Sequence, residues 1–190
     1  VLPLGPTSYA DSPYQSLSTF AGNPLLISFD RLVSDGWLMA DDVAKVRNFP
    51  PFQVDFVNVI AYHNQMLTKA YNRFEALASA EQNTAFVDWC AEQSYWLDDW
   101  ALFISLKTAY SSKPWVEWPQ NLGLREPVAI QSASEKYTRS INEHKFRQWL
   151  FFTQWHELKN YANNKGIRLV GDIPIFVAHD SSDVWANRDE

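Results

Sequence analysis

Two short apolar segments, each running directly into a polar loop, constrain the fold of this chain more than any other feature. Three of residues 167–170 are apolar and two of them are β-branched, and the segment follows Gly166, which stands where a helix-terminating glycine is expected. Residues 134–163 have the spacing of a helix, so this part of the chain predicts an α-to-β unit. Residues 1–4 lead into a loop in the same way. We therefore expect two strands that bracket a mostly helical excursion, the arrangement of an elaborated α/β barrel.

The middle of the chain has the periodicity of amphipathic helices. From residue 54 to residue 77, apolar side chains recur at spacings of three, four and seven, namely Phe56, Ile60, Leu67, Tyr71 and Phe74. Residues 81–110 continue this spacing, with an expected break near Gln93 and Ser94 and an end before Pro114. Residues 115–130 predict a connector, and residues 24–29 fit either a strand or a short helix.

Charge and composition exclude several classes of function. Sixteen Lys and Arg against 22 Asp and Glu give a net charge of -6, without a basic block that would follow a phosphate backbone. No apolar run reaches the ~20 residues of a membrane-spanning helix. Cys90, the single cysteine, has no internal disulfide partner, and we interpret it as a buried structural thiol. We therefore expect neither a nucleic-acid partner nor a membrane partner.

Aromatic residues are unusually frequent, with nine Trp, eight Tyr and twelve Phe. Aromatic rings stack on the apolar faces of sugars, but large aromatic side chains fill protein cores more often than they bind ligands. For any single tryptophan the core is the favoured interpretation.

Polar residues follow both predicted strands. Asp172 interrupts an apolar run just past residues 167–170, where a carboxylate is costly unless it is paired, and where barrel enzymes build their sites. A functional role and a structural ion pair both remain open for it. The loop after residues 1–4 carries hydroxyls, a carboxylate and rings, which suit a sugar ligand but also make ordinary ordered turns; these residues are Tyr9, Asp11, Ser12, Tyr14 and Gln15.

The loop and strand segments resemble one known family. Residues 2–16 (LPLGPTSYADSPYQS), 20–24 (FAGNP), 166–177 (GIRLVGDIPIFV) and 180–185 (DSSDVW) are similar to the amylomaltases, the 4-α-glucanotransferases of glycoside hydrolase family 77. Shorter matches at Trp100, Lys107, Trp118 and Trp155 extend the resemblance over nearly the whole chain.

The resemblance implies an internal fragment of a (β/α)8 TIM barrel, covering about the second to the third strand, with a large and mostly helical insertion. Residues 1–30 would form a barrel strand end and a substrate-binding loop, residues 31–145 the helical insertion, and residues 146–190 a barrel helix, strand and following loop. A cytoplasmic location is implied, or a plastid in a plant or alga. The oligomeric state stays undetermined.

The resemblance also implies an activity. Such enzymes transfer α-1,4-glucan segments between maltooligosaccharides by a retaining double displacement, without a metal or an organic cofactor. The catalytic Asp and Glu of the family lie on later strands, so no carboxylate of this chain is assigned a catalytic role. An α-amylase-type glycoside hydrolase and a non-catalytic carbohydrate-binding helical module are the alternatives.

By motif position, Ser12 and Tyr14 would contact the sugar near the cleavage point, and Asp172 would form the floor of that subsite. Asp180 is a further predicted sugar contact, although Asp180 and Asp183 alternatively order their loop. A Ca²⁺ site is disfavoured because the EF-hand spacing and its glycine are absent. The histidines have no metal-ligand spacing, and we interpret them as packing or surface residues, namely His63, His144, His156 and His179.

Overall fold

The computed structural model describes residues 1–8, 11–44, 49–173 and 175–188. These residues form α-helices α1 (Phe29–Ser34), α2 (Ala40–Ala44), α3 (Phe56–Leu77), α4 (Ala80–Glu92), α5 (Ser94–Ala109), α6 (Gln120–Gly123), α7 (Pro127–Lys136), α8 (Thr138–Asn164) and α9 (Ser182–Ala186). Short 3-10 helices lie at Pro24–Leu26 and Trp115–Glu117.

The long helices lie where the apolar spacing of the sequence predicts them. Helix α3 begins after Asp55, whose carboxylate accepts a hydrogen bond from the Asn58 backbone N–H at 3.2 Å. The expected break near residues 93 and 94 separates α4 from α5. Residues 24–29, which fitted a strand or a short helix, form a 3-10 helix and the start of α1. The predicted connector contains the 3-10 helix Trp115–Glu117, α6 and the first four residues of α7, so it is more helical than expected.

The two strands expected at residues 1–4 and 167–170 are not formed as β-strands in the described part of the chain, where Thr7 and Ser16 make an isolated antiparallel bridge. A strand requires a ladder of hydrogen bonds with a neighbour. Here the two segments meet through one bond, from the Val1 nitrogen to the Val170 carbonyl at 2.6 Å. The segments are adjacent, as expected, but they do not build a sheet.

The contacts divide the chain into two compact units. The first unit comprises Val1–Gly22, Cys90–Lys145 and Leu169–Glu190, and the second comprises Asn23–Trp89 and Phe146–Arg168. The first unit therefore contains both of the polar loops that the sequence singles out.

Aromatic rings fill the core of the second unit. The ring centroids of Phe74 and Phe146 lie 4.7 Å apart, and Trp37 and Phe86 each lie 5.3 Å from Phe74. Such edge-to-face and tilted pairs add to the free energy gained by burial. The rings here pack as core residues, as the sequence favours.

The core of the first unit is built around Trp185 on α9, which is fully buried. Its ring centroid lies 5.8 Å from that of Phe103 and 5.7 Å from that of Trp118, while its indole N–H donates to the Leu122 carbonyl at 3.0 Å. The Arg125 guanidinium lies 4.3 Å from the ring centroid. This core holds α9 against α5 and the α6 region, next to the loop that carries Asp172.

Cys90 is partly buried, and burial raises the pKa of its thiol to about 11. A thiol with so high a pKa is inert, which agrees with a structural residue. Within the part of the chain that the structure describes, no helix is long and apolar enough to cross a membrane.

Candidate functional site

Two predicted site residues from opposite ends of the chain meet in the first unit. The Tyr14 phenol donates a hydrogen bond to Asp172 Oδ2 at 2.9 Å, across a separation of 158 residues. The other carboxylate oxygen accepts from the Ile173 backbone N–H at 2.9 Å. The bond to Asp172 raises the pKa of Tyr14, because ionisation of the phenol would break that bond beside a negative charge.

Local hydrogen bonds hold the loop that presents Tyr14. The Ser8 N–H donates to the Gln15 carbonyl at 3.0 Å, and the Gln15 N–H donates to the Ser12 carbonyl at 3.1 Å. A Cβ atom at Gly5 would lie 2.5 Å from Ser16 Oγ, so a larger residue at this position would displace the buried Ser16 hydroxyl. The chain therefore folds back on itself, and Tyr14 lies directly before the residue that pairs with Ser8.

Ser12 lies beside Tyr14 but is engaged within the loop. Its hydroxyl oxygen accepts from the Tyr14 backbone N–H at 3.3 Å. This bond uses the Ser12 hydroxyl only as an acceptor.

A cleft of about 430 Å³ opens at the Tyr14 and Asp172 pair. Its lining combines a ring, a carboxylate, a side-chain amide and an apolar wall: Tyr14, Gln15, Asp172, Ile173, Ile175, Phe176, Val177 and Ala178. Small-molecule sites commonly occupy about 300–1,000 Å³ and combine apolar walls with a few polar groups. The cleft has the size and chemistry to hold a ring that bears hydroxyl groups.

Asp180 and Asp183 come just after the cleft-lining residues in the chain. Their carboxylates already accept hydrogen bonds from donors of the protein. Asp180 accepts from the Lys107 ammonium at 2.6 Å and from the Trp115 backbone N–H at 3.2 Å, one bond to each carboxylate oxygen. Asp183 Oδ2 accepts from the backbone N–H of Thr19 at 2.7 Å and from its hydroxyl at 2.9 Å. Both carboxylates therefore order their loop, and the sugar contact expected of Asp180 stays a prediction.

Comparison with known proteins identifies the family. The family model described as 4-alpha-glucanotransferase, of glycoside hydrolase family 77, matches residues 1–190. This chain belongs to that family. The amylomaltase resemblance read from the loop motifs is thereby confirmed.

Curated relatives of this family-77 chain carry the same description. It is 44% identical over 187 residues to the 4-alpha-glucanotransferase of Thermus thermophilus and 40% identical over 192 residues to that of Clostridium butyricum. These alignments cover 98% and 100% of the chain, but 37% and 38% of the relatives. The chain therefore spans little more than a third of the length of these relatives.

A solved structure has the same fold over this region. The amylomaltase from Streptococcus agalactiae in complex with acarbose superimposes with a TM-score of 0.94 at 36% identity, over 99% of this chain and 38% of the other. The family-77 chain thus has the fold of the corresponding part of an amylomaltase, while barrel strands are not formed among its described residues.

No role of its own was predicted for Lys107, whose ammonium pairs with Asp180 next to the cleft. A signal was present in the sequence, because a lysine among the apolar residues of α5 needs an acceptor or an acidic partner if it is buried. The sequence could not identify Asp180 as that carboxylate, since the two residues are 73 positions apart.

Two of the histidines pack as expected in this family-77 chain. The His63 ring centroid lies 4.4 Å from that of Phe29, and burial lowers the pKa of its imidazole. The His179 ring stacks on Trp115 at 5.3 Å. Among residues that the structure describes, no group of three or more His, Cys, Asp or Glu side chains is arranged to hold a metal ion.

Proposed function

We propose that the full-length protein containing this chain is a 4-α-glucanotransferase that moves α-1,4-glucan segments between maltooligosaccharides. Family membership supports the reaction class, and the hydrogen-bonded pair of Tyr14 and Asp172 at the mouth of a cleft supports sugar binding by this chain. We call the full-length protein the parent protein.

In this proposal Tyr14 and Asp172 bind one glucose unit of the donor. The Asp172 carboxylate accepts hydrogen bonds from sugar hydroxyls, and the Tyr14 ring covers an apolar sugar face. The hydrogen bond between the two side chains holds both in place before the sugar binds. Preorganisation matters because groups that are already oriented need not be immobilised on binding. Ser12 supplies a further hydroxyl next to Tyr14.

The catalytic step is assigned to other parts of the parent protein. Retaining transfer needs a carboxylate nucleophile and a carboxylic acid/base about 5–5.5 Å apart. The nucleophile displaces the leaving sugar, which takes the proton of the acid, and a glycosyl-enzyme ester forms. A hydroxyl of an acceptor sugar then attacks that ester, loses its proton to the same acid/base residue and releases the nucleophile. This chain contributes binding groups and no catalytic carboxylate.

We further propose that the parent protein needs neither a metal nor an organic cofactor, and that it acts in the cytoplasm, or in a plastid if it comes from a plant or alga. A curated relative from Arabidopsis thaliana that is 34% identical is described as chloroplastic/amyloplastic, which supports the plastid alternative. The proposed partners are α-1,4-glucans and maltooligosaccharides.

Incubation of the parent protein with maltotriose tests the proposed function. We expect glucose together with maltooligosaccharides longer than maltotriose, because a transferred segment lengthens its acceptor. Shorter sugars without lengthened products would instead indicate an α-amylase-type hydrolase. Unchanged maltotriose that still binds the protein would indicate a carbohydrate-binding module.

A further inference from the structure

Lys107 lies in the last turn of α5 and is 7% exposed, which is rare for a lysine. Its ammonium donates to the Ser112 carbonyl at 2.9 Å, to the Lys113 carbonyl at 3.0 Å and to Asp180 Oδ2 at 2.6 Å. An ammonium has three donors, and all of them are used. The burial of this charge is therefore fully compensated by acceptors on two separate chain segments.

The turn that Lys107 holds has an unfavourable backbone conformation. Ser111 and Ser112 have φ angles of 53° and 60°, in the left-handed region that non-glycine residues seldom adopt. The Ser112 N–H also donates to the Lys107 carbonyl at 2.7 Å. Such a conformation persists where several bonds impose it, and here Lys107 contributes through both its carbonyl and its side chain.

This turn leads to Trp115, which bonds the chain just after the cleft. We call residues 179–183 the clamp segment. The indole N–H of Trp115 donates to the His179 carbonyl at 2.7 Å, and its backbone N–H donates to Asp180 Oδ1 at 3.2 Å. One side of the clamp segment is thus bonded to the chain that follows α5.

The other side of the clamp segment is bonded to the chain just after Tyr14. The Ser182 N–H donates to the Leu17 carbonyl at 2.9 Å. Asp183 accepts both hydrogen bonds of Thr19. Leu17 follows Tyr14 by three residues, so these bonds fix the base of the loop that presents the Tyr14 ring.

The cleft wall between Asp172 and the clamp segment carries two apolar side chains that are exposed in this chain. Ile175 and Phe176 are 90% and 83% exposed. The bond from Tyr14 to Asp172 lies at one end of this wall, and the clamp segment with its bond to Lys107 lies at the other.

From these contacts we infer that Lys107 and Asp180 are positioning residues, which hold the two loops of the cleft so that Tyr14 and Asp172 meet a glucan donor in one fixed geometry. This inference rests on the proposed function. Asp180 acts through the clamp segment and not by touching the sugar. Displacement of reacting or binding groups by about 1 Å can reduce the rate about a hundredfold, so loss of the pair should be visible in the kinetics.

The first test is a double-mutant cycle in the parent protein with Asp180→Asn, Lys107→Met and the double variant. We expect each single variant to lower kcat/KM for maltotriose by about tenfold to a hundredfold, with kcat falling as well as KM rising. The double variant should be no worse than Lys107→Met, because Lys107→Met already removes the contact with Asp180. Direct sugar binding by Asp180 would instead make Asp180→Asn much more damaging than Lys107→Met, and that result overturns the inference.

The matched control is Asp98→Asn, which removes another lysine to aspartate ion pair of the same unit, that with Lys145. We expect this variant to keep the kcat and KM of the parent protein. If Asp180→Asn also keeps them when assayed well below its Tm, the pair has only a stabilising role and the inference is wrong.

Substitutions at Thr19 cover the case in which Lys107→Met does not fold. Thr19→Val removes the hydroxyl bond to Asp183 and keeps the shape, whereas Thr19→Ser keeps the hydroxyl. We expect Thr19→Val to lower kcat/KM about threefold to tenfold, which is less than the full effect of a hydrogen bond to a charged group because this bond is exposed, and Thr19→Ser to restore it. Equal kcat/KM values for Thr19→Val and Thr19→Ser would contradict a positioning role for the clamp segment.

A nuclear magnetic resonance measurement separates failure of this inference from failure of the proposed function. Labelling of tyrosine at Cζ gives one resonance for each tyrosine, and the resonance of Tyr14 is the one that is lost in Tyr14→Phe. Its chemical shift reports the hydrogen bond to Asp172 and does not require turnover. Asp180→Asn should move this resonance toward its position in Asp172→Asn, while Asp98→Asn should leave it in place. An unmoved resonance in Asp180→Asn overturns the inference even if the parent protein has no transferase activity.

Discussion

The Tyr14 phenol donates its hydrogen bond to Asp172 at 2.9 Å and joins two loops that are 158 residues apart in the chain. Neither loop alone makes a binding site. Their pairing turns two ordinary polar loops into one face of a cleft, with a ring and a carboxylate oriented by each other.

Substitution of Tyr14 should separate the two parts of its role. Tyr14→Phe in the parent protein removes the bond to Asp172 and keeps the ring, and we expect kcat/KM for maltotriose to fall about tenfold, as for the loss of one hydrogen bond to a charged group. Tyr14→Ala removes the ring as well and should be more damaging. Tyr95→Phe, at an exposed tyrosine of the same unit, is the control and should have no effect. Parental kinetics for Tyr14→Ala would exclude Tyr14 from the site.

The ionisation of Tyr14 should depend on Asp172. The hydrogen bond raises the pKa of Tyr14, so Asp172→Asn should return the pKa of the phenol toward its ordinary value. Because the folded protein holds this proton more tightly than the unfolded chain, the contribution of the bond to stability is present below the ordinary tyrosine pKa and is lost as the pH rises through the raised pKa. Absorbance titration of tyrosinate, taken as the difference from Tyr14→Phe, measures the shift. An identical titration in Asp172→Asn would contradict the bond.

Truncation of Trp185 should destabilise the first unit strongly. Trp185→Ala removes a fully buried ring, and such changes cost about 3–5 kcal/mol. Trp185→Phe retains part of the packing but loses the bond to the Leu122 carbonyl, so its effect should be smaller. The Tm values of the parent protein and its variants, measured by thermal unfolding, give the order of destabilisation. Asp99→Asn, which removes the Arg125 ion pair but no ring, is the matched control and should lower the Tm least.

Cys90 should react slowly with thiol reagents. Burial raises the pKa of its thiol from 9.0 to about 11, so its thiolate fraction near pH 8 is about a hundredfold below that of a free cysteine. Comparison of the parent protein with Cys90→Ala isolates the signal of this residue. We expect rapid reaction only after denaturation. Reaction of native Cys90 at the rate of a free thiol would show that the residue is not buried in solution.

The 190-residue chain by itself should not disproportionate maltotriose. It supplies the binding residues of the cleft, while the nucleophile and acid/base are assigned to other parts of the parent protein. Production of longer maltooligosaccharides by this chain alone, freed of contaminating enzyme, would place the catalytic carboxylates within residues 1–190.

Much of the helical structure and the family could be predicted from the sequence. Apolar spacing predicts the start of α3 within two residues of its observed position, and it predicts the break between α4 and α5 where the structure has it. The loop motifs at residues 2–16 and 166–177 led to the family that comparison confirms. These features depend on residues that are near one another in the chain, so local patterns are enough to reveal them.

The strands and the side-chain partners could not be predicted in this way. Residues 167–170 have strand-forming composition, yet a strand also requires a neighbour to accept and donate its backbone hydrogen bonds, and composition contains no information about that neighbour. The same holds for Asp180. The DSSDVW motif marks Asp180 as a residue of interest, but the motif does not reveal that a lysine 73 positions earlier donates a hydrogen bond to its carboxylate.

The sequence by itself therefore determined the helices, the family and the residues worth testing, because periodicity, caps and motifs are encoded within short stretches of chain. Only the tertiary structure decided that Asp172 meets Tyr14 in a cleft and that Asp180 meets Lys107 beside it. The reason is physical: the pairing of a buried or hydrogen-bonded carboxylate depends on which distant donor the folded backbone brings within about 3 Å.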